Sequence, residues 1–90
     1  MRRAAKRDIS EPPIINALRA VGATVYQISS PGIPDLIVGF RGVTYLLEVK
    51  TKKWSKLTPL QSEFMDTWDG GTVAKVRTPD EALKVIGAVG

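Results

Sequence analysis

Two β-rich runs, DLIVGF at Asp35–Phe40 and VTYLLEVK at Val43–Lys50, are separated only by Arg41 and Gly42. Two residues ending in Gly leave room for a tight reversal and nothing longer, so the runs read as an antiparallel hairpin. The rest of the chain supplies what can cover it. Asp8 or Ser10 can cap a first helix whose opening turn tolerates Pro12 and Pro13, with Ile14, Ile15, Leu18 and Val21 as its apolar stripe and Gly22 as its end. Thr24–Ile28 alternates as a strand before the turn at Ser29, Ser30, Pro31 and Gly32. Thr58, Pro59 and Gln61 spell a capping box, after which Leu60, Phe64, Met65 and Trp68 continue an apolar helical face as far as Gly70 and Gly71. Thr72–Arg77 reads as a fourth strand. Thr78, Pro79 and Glu81 repeat the cap signal ahead of Leu83, Val85 and Ile86. The expected order is α-β-β-β-α-β-α in a single domain spanning 1–90, with residues 1–7 as a basic N-terminal arm.

Composition narrows the chemistry such a domain can do. The chain has 90 residues and contains neither Cys nor His. Thiolate nucleophiles, disulfides, zinc-thiolate sites and iron-sulfur clusters are excluded, and the commonest general base and metal ligand is missing. Any metal must therefore be hard and held by oxygen. No apolar run approaches the ~18–20 residues that span a bilayer. Met1–Arg7 resembles the basic start of a signal peptide, but Asp8 and Glu11 fall where an apolar stretch should begin, so no targeting segment and a cytoplasmic protein are expected.

Lys and Arg outnumber Asp and Glu by 13 to 9, and the excess is clustered. Arg2, Arg3, Lys6 and Arg7 share one acid-free stretch, and Lys50, Lys52, Lys53 and Lys56 share another, while the chain beyond Glu63 is mildly acidic. Segregated cations of this kind suit a phosphate backbone, although solvated lysines that aid solubility have the same composition. Trp54 within KTKKWSK is placed to stack on an unpaired base or to rim the core.

Asp35, Glu48 and Lys50 stand out within the hairpin. Successive strand side chains alternate, so Glu48 and Lys50 project from one face with Cβ atoms roughly 6–7 Å apart, and Val49 points the other way. They could be an ordinary exposed pair, and Asp35 could be a turn acid after Pro34. Leu46 and Leu47, adjacent and on opposite faces, weigh against a wet face: a strand covered on both sides makes an acid expensive unless it is paired or bound to a cation. Asp35 and Glu48 offer hard oxygens suited to Mg²⁺ or Mn²⁺, and the backbone carbonyl of Val49 can add another. Lys50 can stabilise hydroxide or the charge that grows on a phosphorus centre. The chemistry that needs this set is metal-assisted phosphodiester hydrolysis.

Glu11 near the start of the first helix, the GIPDLIV run at Gly32–Val38, the E-x-K of Glu48–Lys50 and the LTPLQ run at Leu57–Gln61 resemble, in order and spacing, the VRR-NUC domain of the PD-(D/E)XK nuclease superfamily. The resemblance covers about residues 8–77. It implies an α/β, restriction-endonuclease-like core with a mixed central sheet flanked by helices and a short C-terminal helix. It also implies Asp35 and Glu48 as metal ligands, Lys50 as the catalytic lysine, Glu11 as a further acid reaching the metal directly or through water, and Gln61 orienting Lys50, water or the scissile phosphate. Local physics offers other duties for two of these: Glu11 at the positive end of a helix and Gln61 as the return partner of its capping box. Stand-alone relatives resemble Holliday-junction resolvases, so DNA, especially branched DNA, and a second copy of the chain are the expected partners. Phe64, Met65 and Trp68 are candidates for the interface of such a homodimer. No membrane and no organic cofactor is expected. A non-catalytic nucleic-acid-binding module of the same fold and an RNA-directed nuclease are the competing readings.

Overall fold

The computed structural model describes residues 8–51 and 56–89. Their elements follow the expected order: α1 (Glu11–Ala20), β1 (Thr24–Gln27), β2 (Leu36–Phe40), β3 (Val43–Val49), α2 (Pro59–Thr67), β4 (Val73–Val76) and α3 (Pro79–Val85). The strands form one mixed sheet in the order β1-β2-β3-β4. β1, β2 and β3 are antiparallel neighbours, while β4 runs parallel to β3 after a crossover that contains α2.

The hairpin sets the register. Phe40 pairs with Val43 and Leu36 with Leu47, and the reversal is made by Arg41 and Gly42 with φ of 51° and 81°. Both central residues are left-handed, the conformation whose twist matches that of the flanking strands, and Gly adopts it without a Cβ penalty. The Arg41 guanidinium lies 4.7 Å from the centre of the Phe40 ring, so a non-Gly residue at positive φ keeps its side chain packed.

One core lies between the sheet and the α1/α3 layer. Ile14, Ile15 and Leu18 of α1, Val25, Leu36, Val38, Phe40, Leu47, Val49 and Val76 of the strands, and Ala82 and Ile86 at α3 are buried together. The expected stripe of α1 is present except at Val21, which is 40% exposed. The helix ends one residue earlier, at Ala20, and the chain reverses at Gly22: the Gly22 N–H reaches the Arg19 carbonyl and the Ala23 N–H the Leu18 carbonyl. This Schellman closure turns Val21 outward and buries Ala23 in its place. Gly87 closes α3 with the same pair of bonds, to Lys84 and Leu83.

The helix starts differ from one another. Thr58 and Thr78 accept the N–H groups of Gln61 and Glu81, as their sequence signatures imply. Ser10 occupies the cap of α1 but makes no side-chain cap bond. The reason is local: the second and third helical residues are Pro12 and Pro13, which have no N–H to donate. The expected cap from Asp8 or Ser10 is therefore absent, and both side chains are released for other contacts.

α2 is covered far less than its apolar pattern suggests. It has no buried residue, and Leu60 is 58% and Trp68 42% exposed. The helix also stops at Thr67, because Trp68 turns extended, donates its indole N–H to the Gly71 carbonyl at 2.8 Å and stacks on Phe64 with ring centres 5.1 Å apart. The other end of α2 rests on Gly32, whose φ is +79° and where an added Cβ would lie 2.8 Å from Leu60 Cβ.

Gly32→Ala therefore meets both a left-handed backbone and a contact inside van der Waals distance. Urea denaturation should show a loss of about 1–3 kcal/mol, whereas Gly39→Ala, where nothing lies within 4 Å, should cost under about 1 kcal/mol. Equal stability of Gly32→Ala and the parent chain would contradict the close approach of α2.

Candidate active site

The site grows from the hairpin register extended by one step. Leu36 opposes Leu47, so the residues just beyond, Asp35 and Glu48, are cross-strand neighbours. Leu36, Val38, Leu47 and Val49 face the core, which turns Asp35 and Glu48 to the opposite face, the side on which α2 crosses. Leu46, Leu47, Glu48 and Val49 are all buried in succession, so β3 is covered on both faces at this end, as the Leu46–Leu47 pair implies.

Glu48 is 3% exposed. Its Oε2 accepts the Gln61 Nε2 amide at 3.0 Å and lies 3.6 Å from the Lys50 ammonium, and its carboxyl is close enough to that of Asp35 to feel its charge. Asp35 is half-buried and fixed from the other side, where its Oδ2 accepts the Val49 N–H at 2.8 Å; its carbonyl accepts the Ile28 N–H at 2.7 Å. Burial, reinforced by the charge of Asp35, pushes the Glu48 carboxyl up to about 7, with Lys50 offsetting only part of the rise. Without a cation, burial beside a second carboxylate favours the protonated form of Glu48.

Gln61 carries two duties at once. Its Oε1 accepts the Thr58 N–H at 2.9 Å, closing the capping box, and its Nε2 donates to Glu48. A backbone N–H needs an acceptor, so the cap settles which end of the amide faces the acid. The capping bond and a place beside the acids are compatible, but the amide's partner is Glu48 and not the expected Lys50, water or phosphate.

Glu11 is the first residue of α1 and is 2% exposed. It accepts the Gln27 Nε2 amide at 2.7 Å. Among the described residues no group of three or more acids is close enough to hold an ion jointly, so the assembled set is Asp35, Glu48, Lys50 and Gln61, with Glu11 held separately by Gln27. Sequence reasoning missed Gln27. Gln27 is exposed at the end of β1, and nothing in the alternation of TVYQ marks its amide as the partner of a buried acid.

Asp8 is the second residue missed. Its carboxylate accepts the N–H groups of Ser10 and Thr51 and the Ser10 hydroxyl. Burial works against ionisation, but these hydrogen bonds and the Lys50 charge outweigh it and hold the carboxyl below its ordinary value. Of the expected DNA-contacting residues, Lys56 is exposed. Arg2, Arg3, Lys6, Arg7, Lys52, Lys53 and Trp54 lie outside the described residues.

Asp35 and Glu48 fit a small hard divalent cation by the chemistry of the set. Both offer carboxylate oxygens to one point, and a dication relieves the repulsion that a retained proton otherwise relieves. The Val49 carbonyl belongs to the same peptide run that anchors Asp35.

Comparison with solved structures finds a match described as "VRR_NUC domain", with a TM-score of 0.65 and 24% identity over 86% of this chain and 89% of that one. No family model and no curated protein matches the chain. The structural likeness spans nearly the whole described domain and shows that the chain has the restriction-endonuclease-like fold of that domain, as the motif spacing implies.

Glu48 also makes stability depend on pH. Its carboxyl is raised from 4.5 to about 7 in the fold, so between these values the folded chain holds a proton that the unfolded chain has lost. The stabilisation from this group is present below pH 4.5 and is lost as pH rises through 7. With no His in the chain, no other side chain ordinarily titrates there. In EDTA, melting temperature should fall by about 5–10 °C between pH 5 and 8. Glu48→Gln should flatten that profile, and millimolar Mn²⁺ should restore stability at pH 8. A flat profile for the parent chain would contradict the raised Glu48 carboxyl.

Proposed function

We propose that this chain is a Mg²⁺- or Mn²⁺-dependent endonuclease that hydrolyses phosphodiester bonds in DNA, with branched DNA such as four-way junctions as its substrate. The observation that carries this reading is the convergence of Asp35, Glu48, Lys50 and Gln61 at the end of the β2–β3 hairpin. A module that only binds nucleic acid gains nothing from two carboxylates that repel phosphates. The fold shared with a VRR_NUC domain supports a nuclease-type domain.

Asp35 and Glu48 would hold the ion, with the Val49 carbonyl completing the protein's contribution and Glu11 reaching it through water. When bound, such an ion supplies Lewis-acid polarisation of the scissile phosphate and acidifies water. Asp35 is held in place by the Val49 N–H, and Glu48 by Gln61, so neither carboxylate needs to reorganise. Lys50 reaches the same point from two residues further along the chain, just past the end of β3. Its ammonium stabilises the negative charge that develops on the phosphate oxygens as the attacking and leaving groups pass through the transition state. With no His available, proton movement falls to water and Lys50. Recognition follows DNA shape and backbone charge, carried by the clustered Lys and Arg and not by base edges.

The acting species is a homodimer, in which two sites related by a two-fold axis address the symmetric strands of a junction. Exposed Leu60 and Trp68, beside half-buried Phe64 and Met65, support α2 as the contact surface.

The test is incubation of purified protein with end-labelled four-way junction, flap, duplex and single-stranded DNA in Mg²⁺, Mn²⁺ or EDTA. Nicking should require metal and favour the junction. Asp35→Ala and Lys50→Ala should each reduce the rate by about 10²–10³-fold while salt-dependent binding in EDTA persists. Binding without cleavage by the parent chain would leave only the non-catalytic module, and cleavage of RNA in place of DNA would reassign the substrate. Light scattering at micromolar concentration should give twice the mass of one chain; the mass of a single chain would remove the dimer.

A further inference from the structure

A set of polar contacts ties the segment before α1 to the residue after Lys50, and the proposed mechanism uses none of them. Asp8 Oδ2 accepts the Thr51 N–H at 2.7 Å. Asp8 Oδ1 accepts the Ser10 N–H at 3.0 Å and the Ser10 hydroxyl at 2.8 Å. The Ser10 and Thr51 hydroxyls are 3.3 Å apart; because Ser10 gives its proton to Asp8, Thr51 is the donor in that pair.

Helix capping does not explain this arrangement. A cap acceptor serves the N–H groups of the second and third helical residues, and here those are Pro12 and Pro13. The Asp8 carboxylate instead spends an oxygen on a backbone amide 43 residues away in sequence. That amide is the first one past the sheet: the Lys50 N–H still bonds to the Val76 carbonyl at 3.0 Å, and β3 has already ended at Val49. Lys50 is thereby held on both sides, by β4 through its own N–H and by Asp8 through the next one. Fixing both flanking peptide planes fixes the direction in which its Cα–Cβ bond leaves the backbone.

We propose that Asp8 is a positioning residue for Lys50, clamping the peptide after it so that the ammonium is aimed at the Asp35–Glu48 pair. This role rests on the nuclease reading above, in which Lys50 acts on the scissile phosphate. Asp8 touches neither phosphate nor ion. Its effect is on how often Lys50 occupies the productive direction, which appears in turnover and not in DNA affinity. Displacements of about 1 Å in such groups cost up to about 10²-fold in rate.

The experiment compares the parent chain with Asp8→Ala and Asp8→Asn in three measurements: Mn²⁺-dependent nicking of a four-way junction resolved into kcat and KM, amide hydrogen exchange at Thr51, and thermal melting. Asp8→Ala should lower kcat by about 10–100-fold with KM changed by less than about threefold, and the Thr51 amide should exchange at least about tenfold faster. Exchange at Val38 and Leu47 should be unaltered. Asp8→Asn keeps an acceptor oxygen for the Thr51 N–H, and should retain both the slow exchange and a kcat within about fivefold of the parent; it answers the question even if Asp8→Ala melts too low to assay. Parent-level kcat in Asp8→Ala with a fast-exchanging Thr51 amide overturns the positioning role and leaves the nuclease reading standing. So does an Asp8→Asn chain that keeps Thr51 protected yet loses kcat as fully as Asp8→Ala. A parent chain that nicks nothing overturns both, and slow Thr51 exchange in that chain distinguishes this result from a clamp that never forms.

Discussion

Two carboxylates stand side by side where little water reaches them, and much of the polar structure at this end of the sheet answers to their repulsion. At ~4 Å two like charges cost about 4 kcal/mol at an effective dielectric of 20, against about 1 kcal/mol in water. The Val49 N–H takes an oxygen of Asp35, the Gln61 amide takes one of Glu48, and the Lys50 ammonium stands 3.6 Å from the same atom. These groups still leave the Glu48 carboxyl near 7. The unmet part of the repulsion is what would favour a doubly charged ion there under the proposed function, since an environment that satisfied both carboxylates fully would have no electrostatic reason to bind one.

The fold delivers this pair by backbone register. Arg41 and Gly42 fix the reversal, the reversal fixes Leu36 opposite Leu47, and Asp35 and Glu48 follow as the next pair outward. A shift of one residue would send every side chain of β2 to the other face and turn Asp35 toward the apolar core. The apolar residues facing the core therefore specify the position of the acids. Helix starts contribute in the same economical way. The capping box of α2 orients the Gln61 amide toward Glu48, and the Pro12–Pro13 pair leaves Asp8 and Ser10 without capping duty, so both reach Thr51.

Most of the fold was legible in the sequence because it was written in local signals. Two-residue turns, Thr-Pro starts and Gly ends locate elements within one or two residues of where they lie, and the adjacent Leu46 and Leu47 disclosed a strand covered on both faces. The same-face relation of Glu48 and Lys50 followed from strand periodicity alone. What could not be read depends on contacts between distant segments. Nothing near Asp8 indicates that its partner is Thr51, and nothing near Glu11 names Gln27, because hydrogen bonds across 43 and 16 residues leave no periodic trace. Val21 shows a subtler failure. Its helical spacing was right, but the Schellman closure at Gly22 ended the helix before that spacing could be used.

The two halves of the site differ in what secures them. Glu48 sits on β3, and Asp35 and Lys50 directly adjoin β2 and β3, strands whose opposite faces are packed against α1 and α3, so their backbones are tied to the core. Gln61 sits on a helix without a buried residue, held by its capping box, by Leu60 lying over Gly32 and by the Trp68 contacts with Gly71 and Phe64. Burial contributes about 25 cal/mol per Å² of apolar surface removed from water, and α2 has forgone most of that contribution. The order of dependence follows. The hairpin can place the two carboxylates without α2, but the hydrogen bond that orients Glu48 is only as secure as the docking of α2. A surface that covered Leu60 and Trp68 would therefore strengthen the site without touching any of its polar atoms.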